Sequence, residues 1–365
     1  MTILEPSLAD RVVRWQRSSG RHSLPWQDTQ DPYRVWLSEI MLQQTQVSTV
    51  LGYYTRFLDR FPSVQLLANA DMDDVFALWS GLGYYSRARN LHRCAQLVVS
   101  NFDGDFPRNA KLLETLPGIG PSTAAAIASF CFGERVAILD ANVKRVLTRA
   151  LGFGADLAVI ANERALWRLA TGLLPHDDLA GTMPSYTQGL MDLGATVCTH
   201  RKPSCLICPL QSICVAQHEG RVNNYPVKTK KLKRSSEQWW ILLARNTGGD
   251  FYLERRPLTG IWAGLYSPPV YSDHDALMAD VPQHSQHHDL PIFLHVLTHK
   301  DLYLHPVQVD CVGGAHPMRE GGWLTAPQWA ALGLPAPIRK LLAAMADTHE
   351  AAGGAATGRV LANTG

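Results

Sequence analysis

Four cysteines in one short stretch constrain this chain more than any other feature. Cys198, Cys205, Cys208 and Cys214 follow the spacing C-x6-C-x2-C-x5-C, with Pro203 and Pro209 setting turns between them. Such compact spacing brings thiolates to one centre, and four cysteine ligands suit either a zinc ion or an iron–sulfur cluster. The tight C-x2-C alone does not choose between the two. Cys94, Cys131 and Cys311 stand singly in apolar surroundings and read as core residues. Seven cysteines, an odd number with four of them clustered, argue against a disulfide framework and for an intracellular metal site. Arg201 and Lys202 lie between the first two ligands, so the stapled loop is also a candidate phosphate contact.

The hydrophobic period changes after this loop. From Ser7 to about Cys214, apolar residues recur at helical spacing, as in Val35, Trp36, Ile40, Met41, Val47 and Leu51, which predicts an all-helical domain. From Gln238 onward the runs are short and β-like: Trp239–Ala244, Phe251–Glu254, Ile292–Leu297 and Leu302–Leu304. A smaller α+β domain is expected there. Between them, His200–Arg234 carries eight Lys and Arg against the single Glu219, a basic linker. The resulting division is a helical domain over residues 1–220 that includes the loop 198–214, a linker over 221–236, an α+β domain over 237–346, and an Ala- and Gly-rich tail over 347–365, expected to be disordered. A length of 365 residues with 46% hydrophobic and 18% charged suits two globular domains and excludes a fibrous or disordered chain. The net charge of +2 leaves a polyanionic partner to be decided by local charge. No apolar run approaches the roughly 18 residues of a membrane span, and Glu5 and Asp10 sit where a signal peptide is basic then greasy. A soluble, cytoplasmic protein is expected.

Three further stretches carry chemistry. Leu116-Pro117-Gly118-Ile119-Gly120-Pro121-Ser122-Thr123 is a glycine-punctuated turn between helices, whose opening amides can hold a phosphate oxygen without reading sequence. Asp140 precedes a helical run, where an N-cap belongs and where the helix end favours the ionised form. Glu39 lies at helical spacing from Val35, Trp36, Leu42 and Gln43, a mostly apolar setting that should keep its proton. A protonated carboxyl near an ionised one is the acid and stabiliser pairing of glycoside cleavage. Gln43-Gln44-Thr45-Gln46 suits hydrogen bonding to base edges, and Gly81-Leu82-Gly83-Tyr84-Tyr85 suits wedging a base stack, with Arg87 and Arg89 to hold phosphates.

Together these motifs resemble the helix-hairpin-helix DNA glycosylases, most closely the branch that removes adenine mispaired with 8-oxoguanine. The resemblance runs from Leu24-Pro25-Trp26 to about Leu334 and is most specific at Ser38-Glu39-Ile40-Met41-Leu42-Gln43-Gln44-Thr45-Gln46-Val47, the hairpin, Asp140-Ala141-Asn142-Val143 and the cysteine spacing. It implies one [4Fe–4S] cluster on Cys198, Cys205, Cys208 and Cys214. It also implies Glu39 as the acid that protonates adenine, Asp140 as the carboxylate facing the sugar cation, and Asn142 as its helper. Base and DNA contacts would come from Trp26, Gln43, Gln44, Thr45, Leu82, Tyr84, Gly118, Gly120, Ser122 and Gln188. Arg256-Pro257-Leu258-Thr259-Gly260-Ile261-Trp262-Ala263-Gly264-Leu265-Tyr266 and His295-Val296-Leu297-Thr298-His299 look like the family's Nudix-related recognition domain, with Thr298 and His299 checking for 8-oxoguanine. The implied partner is duplex DNA holding 8-oxoguanine·A or G·A, bound by a monomer.

The chain departs from the family pattern at Ala141, where glycine is usual, and at Leu297-Thr298-His299, where Phe-Ser-His is commoner. It lacks the Nudix pyrophosphatase glutamates, so no catalytic Mg²⁺ is expected in the second domain. Ser122 stands where strand-nicking relatives of the endonuclease III type carry a Schiff-base lysine, so base removal without strand cleavage is expected. A non-catalytic iron–sulfur DNA-binding protein would account for the basic linker and the cysteines but leaves Glu39 and Asp140 without a purpose.

Overall fold

The computed structural model describes residues 6–229, 233–283, 285–312, 316–317 and 319–357. In chain order its helices are α1 (Leu8–Ser19), α2 (Pro32–Leu42), α3 (Val47–Arg60), α4 (Val64–Ala68), α5 (Met72–Trp79), α6 (Ser86–Phe102), α7 (Ala110–Leu113), α8 (Pro121–Phe132), α9 (Ala141–Leu151), α10 (Ile160–Gly172), α11 (Leu179–Asp192) and α12 (Val215–His218). The strands then begin, with β1 (Ser235–Arg245) and β2 (Phe251–Arg255), followed by β3 (Tyr266–Ser267), β4 (Val270–Tyr271), α13 (His274–Ala279), β5 (Gln286–Asp289), β6 (Phe293–Val296), β7 (Lys300–Asp310), β8 (Gly322–Leu324), α14 (Ala326–Ala330) and α15 (Ala336–Thr357). The chain packs as two compact units, residues 1–69 with 90–231 and residues 70–89 with 232–365.

The first unit is helical because its apolar stripes and caps agree. Ser7 and Asp10 form a capping box at α1, Asp31 caps α2 ahead of Pro32, and Asp140 caps α9. Helix α8 is the central element: Ala124, Ala125, Ala126, Ile127 and Ala128 are all buried, and small side chains let α2, α7 and α11 close around it. Leu8, Val12, Val143, Leu147, Met183, Tyr186 and Leu190 join one core from α1, α9 and α11. Helix α11 passes into a π-turn over Leu193–Val197. Gly194 in that turn lies so close to α9 that an added Cβ would stand 2.6 Å from the Asn142 Cβ and 3.0 Å from its backbone. Only glycine permits this approach.

The second unit is a mixed sheet of order β3-β2-β1-β7-β5, with β4 also on β1, β6 on β7 and β8 on β2. Strands β1 and β7 run parallel over their full length, from Ser235↔Lys300 to Arg245↔Asp310, and the other pairings are antiparallel. Ile241, Leu242, Leu243 and Ala244 are all buried, as expected of a central strand covered on both faces. Residues 70–89 join this unit through Phe76, which packs on Tyr85 at 5.8 Å and beside Gly264 and Gly333, and through Tyr85, whose hydroxyl donates to the Leu334 carbonyl at 2.9 Å. Each expected strand run falls on β1, β2, β6 or β7. Helix α15 continues over residues 347–357, where disorder was expected. Its alanines carry the highest helix propensity, which outweighs the glycines. Residues 358–365 of the expected tail, and Lys230 and Lys231 of the linker, lie outside the described residues.

Candidate active site

Within the first unit, Glu39, Trp26, Gln188, Arg21 and His22 line one open cleft of about 550 Å³. Trp26 is buried and meets Tyr54 edge-on at 5.3 Å, which fixes its ring. Glu39 projects from the apolar face of α2 into this cleft. Burial, and secondarily the nearby charge of Asp140, push its pKa from 4.5 up to about 8. No described residue hydrogen-bonds its carboxyl, so the neutral acid prevails at pH 7.

The Asp140 pKa is also raised on balance, burial being the largest cause, but unlike Glu39 it has groups that oppose the rise in part: the backbone N–H groups of Val143 and Asn142, the Arg145 charge and the Asn142 amide. Its Oδ1 accepts from Val143 N at 2.7 Å and its Oδ2 from Asn142 Nδ2 at 3.4 Å. Of the two carboxyls, Asp140 alone has hydrogen-bond donors for its charged form, so it is the better placed of the two to carry a negative charge. Arg145 holds Asn142 in turn: its Nη2 donates to Asn142 Oδ1 at 2.8 Å and to Gly194 O at 2.6 Å, and its Nε to Cys198 O at 2.7 Å. Ala141 opens α9 without a positive φ, so the missing glycine costs nothing there.

Cys198, Cys205, Cys208 and Cys214 line one small void of about 20 Å³. Among the described residues, no group of three or more His, Cys, Asp or Glu lies close enough to take a single metal ion. Four cysteines converging on one void suit either a zinc ion or an iron–sulfur cluster. Arg149, 2% exposed, braces the loop: it donates to Cys198 Sγ at 3.3 Å, Thr199 O at 2.8 Å and Val222 O at 2.9 Å. Neither Arg145 nor Arg149 is evident from the sequence motifs. Their four-residue spacing on the helix that Asp140 caps is the signal that points to them.

Other expected contacts are distributed as follows. Gln43 donates to Thr123 Oγ1 at 3.4 Å, Thr45 donates to Gln43 O at 3.3 Å, and Gln44 between them has a positive φ of 55°. A left-handed glutamine is strained, which is common at ligand-binding turns. In the hairpin, Gly118 has φ 79° and packs against Asn90, whereas Gly120 caps α8 with open space beside it. Ser122 Oγ accepts from Leu139 N at 3.4 Å, next to the segment that leads into Asp140. The second unit holds the remaining residues. Leu82 is buried, so it does not project as a wedge, whereas Tyr84 is 44% exposed. Arg87 fixes that turn by donating to Leu82 O at 3.1 Å and Gly83 O at 3.2 Å. The Tyr84 hydroxyl hydrogen-bonds Thr298 Oγ1, and both line a cleft with His299 and Trp262.

A model of the HhH-GPD superfamily of base excision DNA repair proteins matches residues 37–171, and one of the NUDIX domain matches residues 240–344. The adenine DNA glycosylase of Buchnera aphidicola subsp. Baizongia pistaciae is 34% identical over 343 residues, 91% of this chain and 94% of that protein. The human adenine DNA glycosylase is 44% identical over 219 residues, 56% of this chain and 38% of that protein. A thermostable thymine-DNA glycosylase superposes over 58% of this chain and 95% of its own, with a TM-score of 0.52 at 30% identity. Fold and site together define a base excision DNA repair enzyme with a C-terminal Nudix-like domain. The chain belongs to the adenine DNA glycosylase family and is a DNA N-glycosylase. No helix among the described residues is long and apolar enough to cross a membrane.

Proposed function

We propose that this enzyme hydrolytically removes adenine mispaired with 8-oxoguanine or guanine from duplex DNA and leaves an abasic site. The observation that carries this reading is the pair of carboxyls with opposed environments. Glu39, kept neutral by burial, protonates the flipped adenine and weakens its glycosidic bond. Asp140, supplied with donors, offsets the oxocarbenium charge until water attacks, and Asn142 keeps it aligned. Trp26 and Gln188 hold the base, Gln44 and Tyr84 open or fill the stack, Gln43 contacts the DNA, and Thr45 and Leu82 lie near 8-oxoguanine. Gly118, Gly120 and Ser122 offer the hairpin's phosphate contact. Thr298 and His299 read 8-oxoguanine from the second domain, whose expected span is 237–346.

Cys198, Cys205, Cys208 and Cys214, which line one void, would hold one [4Fe–4S] cluster, a reading supported by their all-thiol donor set. When bound, the cluster would supply a cross-link within the loop 198–214, which Arg145 and Arg149 of α9 hold by hydrogen bonds. Strand cleavage is not part of the proposed activity: Ser122 replaces the lysine a lyase uses, and Lys144, on the helix that Asp140 caps, is ion-paired with Glu163 at 2.5 Å. We expect a monomer acting on cytoplasmic DNA. Single-turnover release of free adenine from a duplex with one 8-oxoguanine·A pair tests the reading. Release of thymine or an oxidised pyrimidine in its place would overturn it.

A further inference from the structure

We propose that Arg234, paired with Asp301, is a positioning residue for the turn that bears Thr298 and His299, and through that turn a determinant of 8-oxoguanine specificity. The inference rests on the reading of that turn as the part that checks for 8-oxoguanine. This base differs from guanine only at N7 and C8, so the check depends on very few hydrogen bonds, and these weaken steeply with errors of angle. The turn must therefore be held still.

Its own backbone does not hold it. Strand β6 ends at Val296 and β7 begins at Lys300, and Leu297 N donates to Lys300 O at 2.8 Å, which leaves Thr298 and His299 as a two-residue loop. Loops of this length match the twist of their strands when a central residue takes a positive φ, the reason asparagine and glycine are favoured there. Neither Thr298 nor His299 has a positive φ.

The bracing comes from the segment just before β1. Arg234 Nη1 donates to Thr298 O at 3.0 Å and its Nη2 to Asp301 Oδ1, so one planar guanidinium spans the loop from its tip to β7. Ser235 N adds a bond to His299 O at 3.2 Å, and the Tyr84 hydroxyl meets Thr298 Oγ1. Both loop carbonyls are thus taken up by consecutive residues. The Arg234 and Asp301 side chains are 41% and 31% exposed, so their pairing adds little to stability and its value lies in geometry. Arg234 also ends the basic stretch of the chain, and the competing role is a phosphate contact.

The test measures the affinity of the full-length protein for duplexes with 8-oxoguanine·A and with G·A at one salt concentration, the adenosine carrying a 2′-fluorine that keeps the base attached. The quantity read is the ratio of the two affinities. Arg234→Met should lower the ratio by about three- to tenfold, through weaker binding to 8-oxoguanine·A, and should shift melting little. Arg234→Lys should not restore the ratio, because a point charge cannot hold a carbonyl and a carboxylate in one plane. Asp301→Asn should lower the ratio in the same direction, whereas under a phosphate-contact role the lost negative charge would tighten binding to both duplexes. In a protein already carrying Thr298→Ala and His299→Ala, Arg234→Met should change the ratio much less than it does in wild type, since it acts through that turn. A wild-type ratio in Arg234→Met, full rescue by Arg234→Lys, or equal losses on both duplexes overturns the inference. Failure of the underlying reading is distinct: the protein carrying Thr298→Ala and His299→Ala would then keep the wild-type ratio.

Discussion

Replacing Glu39 with glutamine should remove activity and at the same time stabilise the protein, by an amount that grows with pH. The unfolded chain releases the Glu39 proton near 4.5, whereas the folded chain holds it to about 8. Below the ordinary carboxylate range both states carry the proton, and burying the acid costs nothing. As pH rises from there to about 8, folding must take up a proton from an increasingly dilute supply, and above that the cost levels off. Each tenfold in proton affinity is worth about 1.4 kcal/mol, which sets a ceiling of about 3 kcal/mol at pH 7. The cleft is open to water on one side, which reduces the charge penalty to about 1–2 kcal/mol. At roughly 2–4 °C per kcal/mol for a domain of this size, Glu39→Gln should melt a few degrees above wild type near pH 8. The gap should close towards about pH 5. Paired thermal melts at matched pH are the assay, because any loss of the loop's cross-link is then common to both proteins. A gap that is constant across pH, or one favouring wild type, would refute the burial argument for a neutral Glu39.

The other expectations concern separate parts of the molecule. Arg149→Met removes the donors that brace Cys198, Thr199 and Val222 and should cost about 3–5 kcal/mol and lower the bound iron; a variant with full iron content and unchanged melting would remove Arg149 from that role. Product strands should stay intact until treated with alkali, and stoichiometric nicking at the rate of base release would favour a lyase acting through Lys144. Thr298→Ala with His299→Ala should weaken binding to 8-oxoguanine·A by about tenfold while affecting G·A much less, compared at one salt concentration. Equal losses on both duplexes would reduce these residues to a structural or phosphate-contacting role.

How much could be read from the sequence depends on the range of the interactions concerned. The caps at Ser7, Asp31 and Asp140 are local signals, and each appears where the helix begins. The apolar setting of Glu39 follows from its neighbours on a single helix, so its elevated pKa was legible. The sharing of one void by four cysteines follows from their spacing. Long-range packing was not legible. Residues 70–89 read as one more helical segment, yet Phe76 finds a partner at Gly264, 188 residues on, and Tyr85 at Leu334, 249 residues on. Leu82 looks like a wedge because glycines flank it, but burial hides it and leaves Tyr84 exposed. Arg145 and Arg149 read as ordinary helix charges, and only the fold reveals what each one holds.

The central claim is that Glu39 and Asp140 divide acid and stabiliser roles between them. It is tested most directly by single-turnover adenine release from an 8-oxoguanine·A duplex with wild type, Glu39→Gln and Asp140→Asn, alongside the affinity of each protein for that duplex. The account predicts that both variants bind the mispair nearly as wild type does and release little or no adenine. Either variant releasing adenine at the wild-type rate would contradict the role assigned to that residue.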